Sequence, residues 1–347
     1  MIKLLTILVL IVLFFSCRKK EDEAIPVNIN RHGFFVVNEG NFTWANASLS
    51  FYDITSDKSY ADIFYEANAV PLGDVAYSMT TYNNKGYIVV NNSGIVYVVN
   101  LNDMKFSGKI TGLTSPRYML IVNDSLAYVS DLYDTRISKI NLYTNSVSGY
   151  INLGCSSENM YLKNGKVFVS SWSYRNMVYS FDALSGNILD SICVGKQPNS
   201  MIVDKSNNLW VLCDGCFSGS SYGEENPSLW CLNTSDLSVV KHFTFPVLSQ
   251  SPIRLCANAS LDTLSFINNG IYKMSIDDSS LPANPFITSG GKNFYGLSID
   301  KCNGDVIVSD AKNFVANGEI LIYSKTGQLK KTINAGVNPG WIEIIYN

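Results

Sequence analysis

One phrase recurs seven times along the chain: a short run of β-branched or aromatic residues ends in Asn, Asp, Ser or Cys, and a second strand-like run follows it. The seven instances are FFVVNEGN (34–41), GYIVVNNSG (86–94), LAYVSDLY (126–133), KVFVSSWSY (166–174), NLWVLCDGC (208–216), TLSFINNGIY (263–272) and DVIVSDA (305–311). From the second instance to the fifth the spacing is about 40 residues, and no helical period competes with it. A period of this length made of strands and turns indicates an all-β, seven-bladed β-propeller with four strands in each blade.

Each blade is expected to run from an innermost strand a, through b and c, to an outer strand d. The phrases above supply the b strands. The c strands are predicted at 48–54, 95–101, 136–142, 177–183, 228–234, 270–276 and 319–325. Five d strands are predicted, at 107–111, 148–153, 188–194, 239–245 and 330–335. Three a strands are expected to begin at the proline joints Pro116, Pro198 and Pro252, because proline is tolerated outside the hydrogen-bonded ladder.

The C-terminal segment PGWIEIIYN (339–347) is one more alternating strand without a hairpin partner of its own. We expect it to join the first blade, so that the ring closes and two exposed sheet edges are covered. A ring of six blades with a disordered flank is the alternative.

Composition favours a single folded domain. Of 347 residues, 46% are hydrophobic and only 16% are charged, and the repeat continues to the C-terminus without a break. The net charge is −3, and no stripe of Lys and Arg appears beyond the N-terminal region. Binding to a phosphate backbone requires concentrated positive charge, so nucleic acid is not an expected partner.

The N-terminus has the pattern of an export signal. One Lys precedes an apolar run from Leu4 to Phe15, which is short for a membrane span, and Ser16 and Cys17 follow. This ending resembles a bacterial lipobox, which implies lipidation of Cys17; an ordinary signal peptide is the alternative. The predicted organisation is a signal peptide over 1–16, a lipid-anchored flexible tether over 17–30 and the propeller over 31–347.

Seven further cysteines follow Cys17, so at least one stays unpaired and a complete disulfide framework is excluded. The segment Cys213-Asp-Gly-Cys216 has the spacing of a redox or metal-binding pair, but no second pair and no nearby His completes a zinc site. Most of these thiols are expected to be small core residues. A disulfide between Cys213 and Cys216 remains open.

Catalytic groups are sparse. The two histidines, His32 and His242, are isolated at the start of the first blade and within a d strand, so a nucleophilic triad lacks its proton carrier. No enzymatic activity, no required cofactor and no metal are predicted from these residues. Scattered carboxylates leave a calcium site open: Glu39, Asp74, Asp131, Glu158, Asp214 and Asp310. The Asn and Asp residues that end the b strands have a simpler interpretation as caps of nearby backbone N–H groups.

The loops are rich in aromatic and amide side chains. In a propeller the b–c and d–a loops open on one face around the channel mouth, and such a mixture suits a large, polar and planar ligand. Packing between neighbouring blades is the alternative role for each aromatic residue. The predicted ligand-binding residues are Asn38, Asn41, Phe42, Asn91, Arg117, Tyr118, Asp131, Tyr133, Glu158, Trp172, Tyr174, Gln197, Asn199, Phe294 and Tyr295.

Several long segments together carry a family resemblance: FFVVNEGNFTWANASLSFYD (34–53), PLGDVAYSM (71–79), SPRYM (115–119), GKQPNSM (195–201), FYGLSID (294–300) and NPGWIEI (338–344). The chain resembles the YncE-like, DUF5074-type propeller lipoproteins of Bacteroidetes, some of which are called surface layer proteins. The acidic stretch 21–23 is similar to the surface-export signal of lipoproteins from these bacteria. The resemblance covers nearly the whole mature chain and supplies no short catalytic signature.

Within that group the chain is similar to the BtuG-type lipoproteins. This resemblance implies a protein lipid-anchored in the outer membrane and exposed at the cell surface, which binds cobalamin or a related corrinoid. It also implies transfer of the ligand to a TonB-dependent outer-membrane receptor. Exposure to the periplasm is the alternative location. The alternative functions are a surface adhesion or scaffold protein that binds protein or glycan, and a metal-dependent, lactonase-like hydrolase.

Overall fold

The computed structural model describes residues 32–346, which form twenty-eight strands and one short helix. The elements are β1 (Gly33–Asn38), β2 (Ser48–Asp53), β3 (Lys58–Tyr60), α1 (Ile63–Asn68), β4 (Ala76–Tyr82), β5 (Lys85–Val90), β6 (Ile95–Asn100), β7 (Phe106–Ile110), β8 (Pro116–Ile121), β9 (Leu126–Asp131), β10 (Arg136–Asn141), β11 (Ser146–Asn152), β12 (Met160–Lys163), β13 (Lys166–Ser170), β14 (Met177–Asp182), β15 (Ile188–Cys193), β16 (Pro198–Val203), β17 (Asn208–Cys213), β18 (Ser228–Asn233), β19 (Val239–Thr244), β20 (Ile253–Ala257), β21 (Thr263–Ile267), β22 (Gly270–Ser275), β23 (Ile287–Thr288), β24 (Phe294–Ile299), β25 (Val306–Asp310), β26 (Asn317–Tyr323), β27 (Leu329–Val337) and β28 (Pro339–Ile345).

These strands form seven antiparallel sheets of four strands each, which confirms the predicted seven-bladed propeller. Blade one consists of β28, β1, β2 and β3, and blades two to seven follow in chain order from β4 to β27. The innermost strands contact one another in sequence around the ring: β4, β8, β12, β16, β20, β24 and β28, which returns to β4.

The C-terminal strand closes the ring as predicted. β28 pairs antiparallel with β1, from Gly33 opposite Ile345 to Val37 opposite Trp341. Blade one is therefore built from both ends of the described chain. This pairing satisfies backbone groups on β1 and β28 that would otherwise form two open sheet edges.

The hydrophobic core is divided among the interfaces between neighbouring blades. At the interface of blades five and six, for example, the fully buried Trp210 belongs to a cluster that includes Phe266. The indole of Trp210 donates to Asp204 at 2.8 Å, so its one polar atom is satisfied. Because each interface needs both blades, no blade can bury its apolar faces alone.

Two features extend the sequence-based description. The d strands β3 and β23, of three and two residues, were not predicted because they are short and polar or broken by turns. The helix α1 was not predicted either; its Ile63 and Phe64 are buried, and Phe64 packs on Tyr97 with ring centroids 5.0 Å apart. Among the described residues no helix is long and apolar enough to cross a membrane.

The seven described cysteines are free thiols, and the buried pair Cys213 and Cys216 forms no disulfide. Burial raises the pKa of the Cys213 thiol above its ordinary range, so this thiol stays protonated and behaves as a core residue. The predicted signal peptide, the lipidation site Cys17 and the tether lie outside the described residues.

The ring has two distinct faces. The loop face carries the b–c loops 39–47, 91–94, 132–135, 171–176, 214–227, 268–269 and 311–316, together with the d–a connections that lead into each inner strand. The turn face carries the a–b and c–d turns, and the described chain begins there at His32. The a strands begin at the loop face, so their first residues surround the mouth of the channel.

Removal of β28 is expected to destabilise the ring. A chain truncated after Asn338 loses all of the pairing with β1 and exposes the edge of that strand, so it should aggregate and melt at a lower temperature than the full chain. Removal of Tyr346 and Asn347 alone, beyond the paired residues, is the control. Size-exclusion chromatography and thermal denaturation measure both properties. A monomeric truncated protein with an unchanged Tm would contradict closure by β28.

Candidate functional site

Most of the inner strands have a bulge at the loop face. Two residues in each segment precede an apolar Met, Leu or Ile, and in six of the seven sheets the pairing register shifts at or next to this point. A bulge turns the extra residue out of the ladder and re-aims its side chain. The seven pairs are Tyr77-Ser78, Arg117-Tyr118, Glu158-Asn159, Asn199-Ser200, Ile253-Arg254, Tyr295-Gly296 and Gly340-Trp341.

Serines at the ends of the neighbouring b strands hold three of these segments. The hydroxyl of Ser130 accepts from the backbone N–H of Tyr118 at 3.1 Å, and that of Ser309 accepts from Gly296 at 2.6 Å. Ser170 accepts in the same way from Asn159 at 3.2 Å. The serine within the repeated phrase therefore satisfies a backbone donor that the strand ladder leaves unpaired.

A buried ion pair lies at the mouth between blades three and four. Arg117 Nε donates to Glu158 Oε2 at 2.7 Å, and Nη2 donates to Glu158 Oε1 at 2.8 Å, in a bidentate arrangement. Tyr77 from blade two donates to Glu158 Oε1 at 2.9 Å, and its ring lies 3.5 Å from the Arg117 guanidinium carbon. Burial alone would lower the pKa of Arg117, but Glu158 and Tyr77 raise it above its ordinary value.

A second polar group completes the floor of the mouth from blades six, seven and one. Arg254 donates to the Tyr118 hydroxyl at 3.1 Å and to the Tyr295 carbonyl at 3.3 Å. Tyr295 donates to Glu39 at 2.9 Å. Burial raises the pKa of Glu39, while Arg254 and the Tyr295 hydrogen bond act against that rise.

Aromatic rings join the two groups. Tyr118 lies edge-on to Tyr77 and to Trp341, in both cases with ring centroids 5.4 Å apart. The Arg254 guanidinium lies 5.6 Å from the Tyr295 ring and 5.8 Å from the Trp341 ring. We call these residues the mouth floor: Glu39, Tyr77, Arg117, Tyr118, Glu158, Arg254, Tyr295 and Trp341. Its two arginines balance its two glutamates, so the floor is aromatic and close to neutral.

Above the floor, the b–c loops carry aromatic residues that water reaches. Five are more than half exposed: Phe42 (67%), Trp44 (73%), Tyr133 (74%), Phe217 (57%) and Tyr222 (59%). Tyr174 stacks on Tyr222 at 4.0 Å, and the half-buried Trp172 lies 5.1 Å from the Arg117 guanidinium. We call these residues the aromatic rim: Phe42, Trp44, Tyr133, Trp172, Tyr174, Phe217 and Tyr222.

The structure brings together eight of the fifteen predicted ligand-binding residues. Arg117, Tyr118, Glu158 and Tyr295 belong to the mouth floor, and Phe42, Tyr133, Trp172 and Tyr174 belong to the aromatic rim. Glu39, Tyr77, Arg254 and Trp341 are absent from the predicted set although they complete the floor. Tyr77, Arg254 and Trp341 each stand just ahead of the apolar residue of an inner strand, and this shared position is a sequence signal that could have found them. Glu39 follows β1 instead, so this signal does not include it.

The remaining seven predicted residues are engaged in local structure. Asp131 accepts four backbone N–H groups, from Thr114, Ser115, Tyr133 and Asp134. Five others bind carbonyls, hydroxyls or backbone N–H groups of adjacent loops and strands through their side-chain amides: Asn38, Asn41, Asn91, Gln197 and Asn199. Phe294, the seventh, is buried between blades six and seven.

The mouth offers no grouped metal ligands within the described chain. Glu158 is held by Arg117, and Glu39 by Tyr295. The one group of three His, Cys or carboxylate ligands found among residues 32–346 lies on the turn face. The arrangement at the mouth can donate hydrogen bonds and stack against a flat ligand.

The mouth ion pair gives a stability prediction. Glu158→Gln leaves the Arg117 charge buried without a counter-charge, which should cost about 3–5 kcal/mol of unfolding free energy. The more accessible pair Arg136 and Asp134 is the control, since their side chains are 45% and 17% exposed, against 9% and 2% for Arg117 and Glu158. Asp134→Asn should cost less than about 1 kcal/mol. Urea denaturation measures the unfolding free energy of both variants. Equal losses of stability would show that Arg117 and Glu158 are not a buried pair.

Glu343, on β28 below the mouth floor, gives a pH prediction. Burial raises the pKa of Glu343 from 4.5 to about 7, although it accepts from the Thr81 backbone N–H and hydroxyl at 3.3 Å. Between pH 4.5 and about pH 7, the carboxyl group of Glu343 is ionised in the unfolded chain and protonated in the folded chain. Stability therefore falls as pH rises through this window and levels off above it.

Glu343→Gln removes this contribution. The unfolding free energy of the variant, relative to that of the wild type, should be about 3 kcal/mol higher at roughly pH 8 than at roughly pH 4. This increase should develop between the two pKa values. Chemical denaturation at several pH values measures the difference. A wild-type-to-variant difference that does not change with pH would contradict a raised pKa at Glu343.

Comparison with known proteins agrees with the fold. A quinonprotein alcohol dehydrogenase-like protein from Bacteroides thetaiotaomicron is similar with a TM-score of 0.69 and 19% identity, over 91% of this chain and 79% of that chain. A protein from Lactobacillus plantarum has a TM-score of 0.68 and 9% identity, over 91% and 100% of the two chains. The dihydro-heme d1 dehydrogenase NirN, solved in complex with DHE, has a TM-score of 0.59 and 10% identity, over 89% and 74%. At these identities the likeness shows the fold alone.

No curated protein has a recognisably similar sequence. A family described as a domain of unknown function, DUF5074, matches residues 32–338, which is nearly all of the described ring. The match includes the loop face, most of the mouth floor and six complete blades, and it ends just before β28. The chain therefore belongs to the DUF5074 family.

Proposed function

We propose that the loop face captures a large, flat ligand with a polar periphery, of the corrinoid class, without chemical turnover. The observation that carries the proposal is the combination of a preformed mouth floor with an exposed aromatic rim. Flat apolar contact and ordered hydrogen-bonding groups are the two requirements of a site for such a ligand.

The floor is rigid before the ligand arrives. Its polar atoms bind one another across blades that are far apart in sequence, as between Tyr77 and Glu158 or Arg254 and Tyr118. A preorganised floor loses little conformational entropy on binding. A macrocycle could therefore lie on the aromatic edges of Tyr118 and Trp341 while its side groups reach the loops.

The aromatic rim offers apolar surface that the folded protein leaves exposed to water. Tyr133 and Trp44 are each more than 70% exposed, although burial of large aromatic side chains is favourable. Rim aromatics on blades one, three, four and five surround the same mouth. This distribution suits one large ligand better than several small ones.

Capture is better supported than catalysis because proton carriers are remote from the mouth. His242 lies on the outer strand β19 and stacks on Trp230 at 4.0 Å. His32 begins the described chain on the turn face. At the mouth, the carboxylates of Glu158 and Glu39 are held by Arg117 and Tyr295.

Two further observations favour this ligand class and location. NirN is named for a dihydro-heme, so a ring of similar fold serves a protein that handles a flat macrocycle. In addition, an anchor at Cys17 would join the ring at His32 on the turn face, so the attachment leaves the loop face free. The flexible tether predicted over 17–30 would then let the loop face turn toward a TonB-dependent receptor in the same membrane.

Substitution of Trp172 tests the site. Trp172→Ala should weaken binding of cyanocobalamin roughly thirtyfold, equivalent to ~2 kcal/mol, because it removes a central aromatic contact beside Arg117. His242→Ala, on the outer wall, should leave the affinity unchanged. Isothermal titration calorimetry measures both, and circular dichroism checks the fold. Equal affinities for the wild type and both variants would place the ligand elsewhere.

Two tyrosines of blade three provide a matched pair. Tyr133 on the b–c loop and Tyr143 on the c–d turn are 74% and 76% exposed, but lie on opposite faces. Tyr133→Ala should weaken binding of cyanocobalamin, and Tyr143→Ala should not. The reverse order would place binding on the turn face. Absence of binding by the wild type, with binding of glycans or a protein instead, would favour an adhesion function.

A further inference from the structure

Three potential metal ligands meet on the turn face at the junction of blades one and seven. They are His32, which precedes β1, and Asp300 and Cys302, which follow β24. Their ligand atoms all lie within 4.8 Å of one another. This group is separate from the mouth, at the opposite end of the ring.

The spacing is close to that of a tetrahedral metal site. His32 Nε2 lies 3.1 Å from Asp300 Oδ2 and 3.2 Å from Oδ1. Two ligands of a tetrahedral zinc ion, each bound at about 2.1 Å, are roughly 3.4 Å apart. Cys302 is exposed, so rotation of its side chain can bring its sulfur closer without repacking of the core.

A second, independent observation concerns Asp300. Its side chain is fully buried, and apart from the 3.1 Å contact with His32 Nε2, Oδ2 accepts no hydrogen bond among the described residues. The other oxygen, Oδ1, accepts from the backbone N–H of Cys302 at 2.9 Å. A buried carboxylate requires a positive partner, and a metal cation bound beside His32 would supply that charge.

We propose that His32, Asp300 and Cys302 bind a divalent transition-metal ion, with zinc as the best match. Nitrogen, oxygen and sulfur donors in one tetrahedral set are typical of zinc, whereas calcium and magnesium prefer oxygen alone. Three protein ligands leave a fourth position for water or another ligand. The ring of Tyr346 stacks on His32 with centroids 5.5 Å apart and so fixes the imidazole plane.

The position of the site indicates its role. His32 and Asp300 are 268 positions apart in sequence, and the metal would tie the start of blade one to blade seven. Asp300 also lines a cavity of about 250 Å³ between these blades, with Tyr52, Lys330 and Lys331 among its other walls. The ion therefore acts as a clamp at the seam where the ring closes, and it stabilises the folded state by binding to it.

Metal titration of the full-length protein in detergent, after removal of bound metal by a chelator, tests the proposal. The protein should bind one equivalent of zinc, and zinc should raise its Tm. Cobalt(II) should give a sulfur-to-metal charge-transfer absorption that reports coordination by Cys302.

His32→Gln and Cys302→Ser should each weaken zinc binding more than about tenfold and abolish the rise in Tm. His242→Gln and Cys193→Ser alter the other histidine and another exposed cysteine, so they are the controls and should behave as the wild type. Circular dichroism without metal verifies that all variants are folded.

Absence of stoichiometric zinc binding by the wild type would overturn the proposal and leave a simple hydrogen bond between His32 and Asp300. Zinc binding that survives in both His32→Gln and Cys302→Ser would also overturn it, since the metal would then bind elsewhere. Neither result affects the proposal of ligand capture at the mouth, because cyanocobalamin binding is measured independently and in the presence of chelator.

Discussion

The pairing of β28 with β1 is the constraint on which the rest of the structure depends. It joins the two ends of the described chain in one blade and fixes the circumference of the ring. Trp341 lies on β28 and Glu39 follows β1, so closure also sets two parts of the mouth floor. The proposed metal ligands lie at the other end of the same seam. Stability of the ring and assembly of the mouth are therefore two results of one interaction.

The fold could be predicted because its signals are local. Alternating apolar residues in runs such as those around Val89 and Val308 define strands, and the period of about 40 residues counts the blades. Weak signals were missed: β23 has two residues, and α1 depends on tertiary burial of Phe64. Such short elements are stabilised by their surroundings more than by their own sequence.

The mouth could be predicted only in part, for a different reason. Arg117, Tyr118 and Tyr295 were expected at the channel because they begin inner strands, and the structure places them there. Asp131 begins a loop at the same face, yet its carboxylate binds four nearby backbone N–H groups. Whether a polar side chain reaches outward or caps its own loop depends on local donors, which a one-dimensional pattern does not display.

A mouth floor whose polar groups bind one another, beneath an exposed aromatic rim, suits capture and release of a ligand. The ion pair of Arg117 and Glu158 and the tyrosines of the floor bind one another without a ligand, so the mouth carries little strain before a ligand binds. Rim residues such as Tyr133 and Trp44 are exposed, and the proposed ligand would cover them. A protein that transfers its ligand would benefit from this combination, because contacts with exposed rim residues can be exchanged for contacts with a partner.

A crystal structure of the protein with cyanocobalamin is the most direct test of ligand capture at the loop face. The account predicts one macrocycle over the mouth floor, in contact with Trp172 and Tyr133 and facing Tyr118 and Trp341. Hydrogen bonds from the corrin side groups to the b–c loops should accompany these contacts. A macrocycle bound at the turn face, or crystals grown in excess ligand that show an empty mouth, would contradict the account.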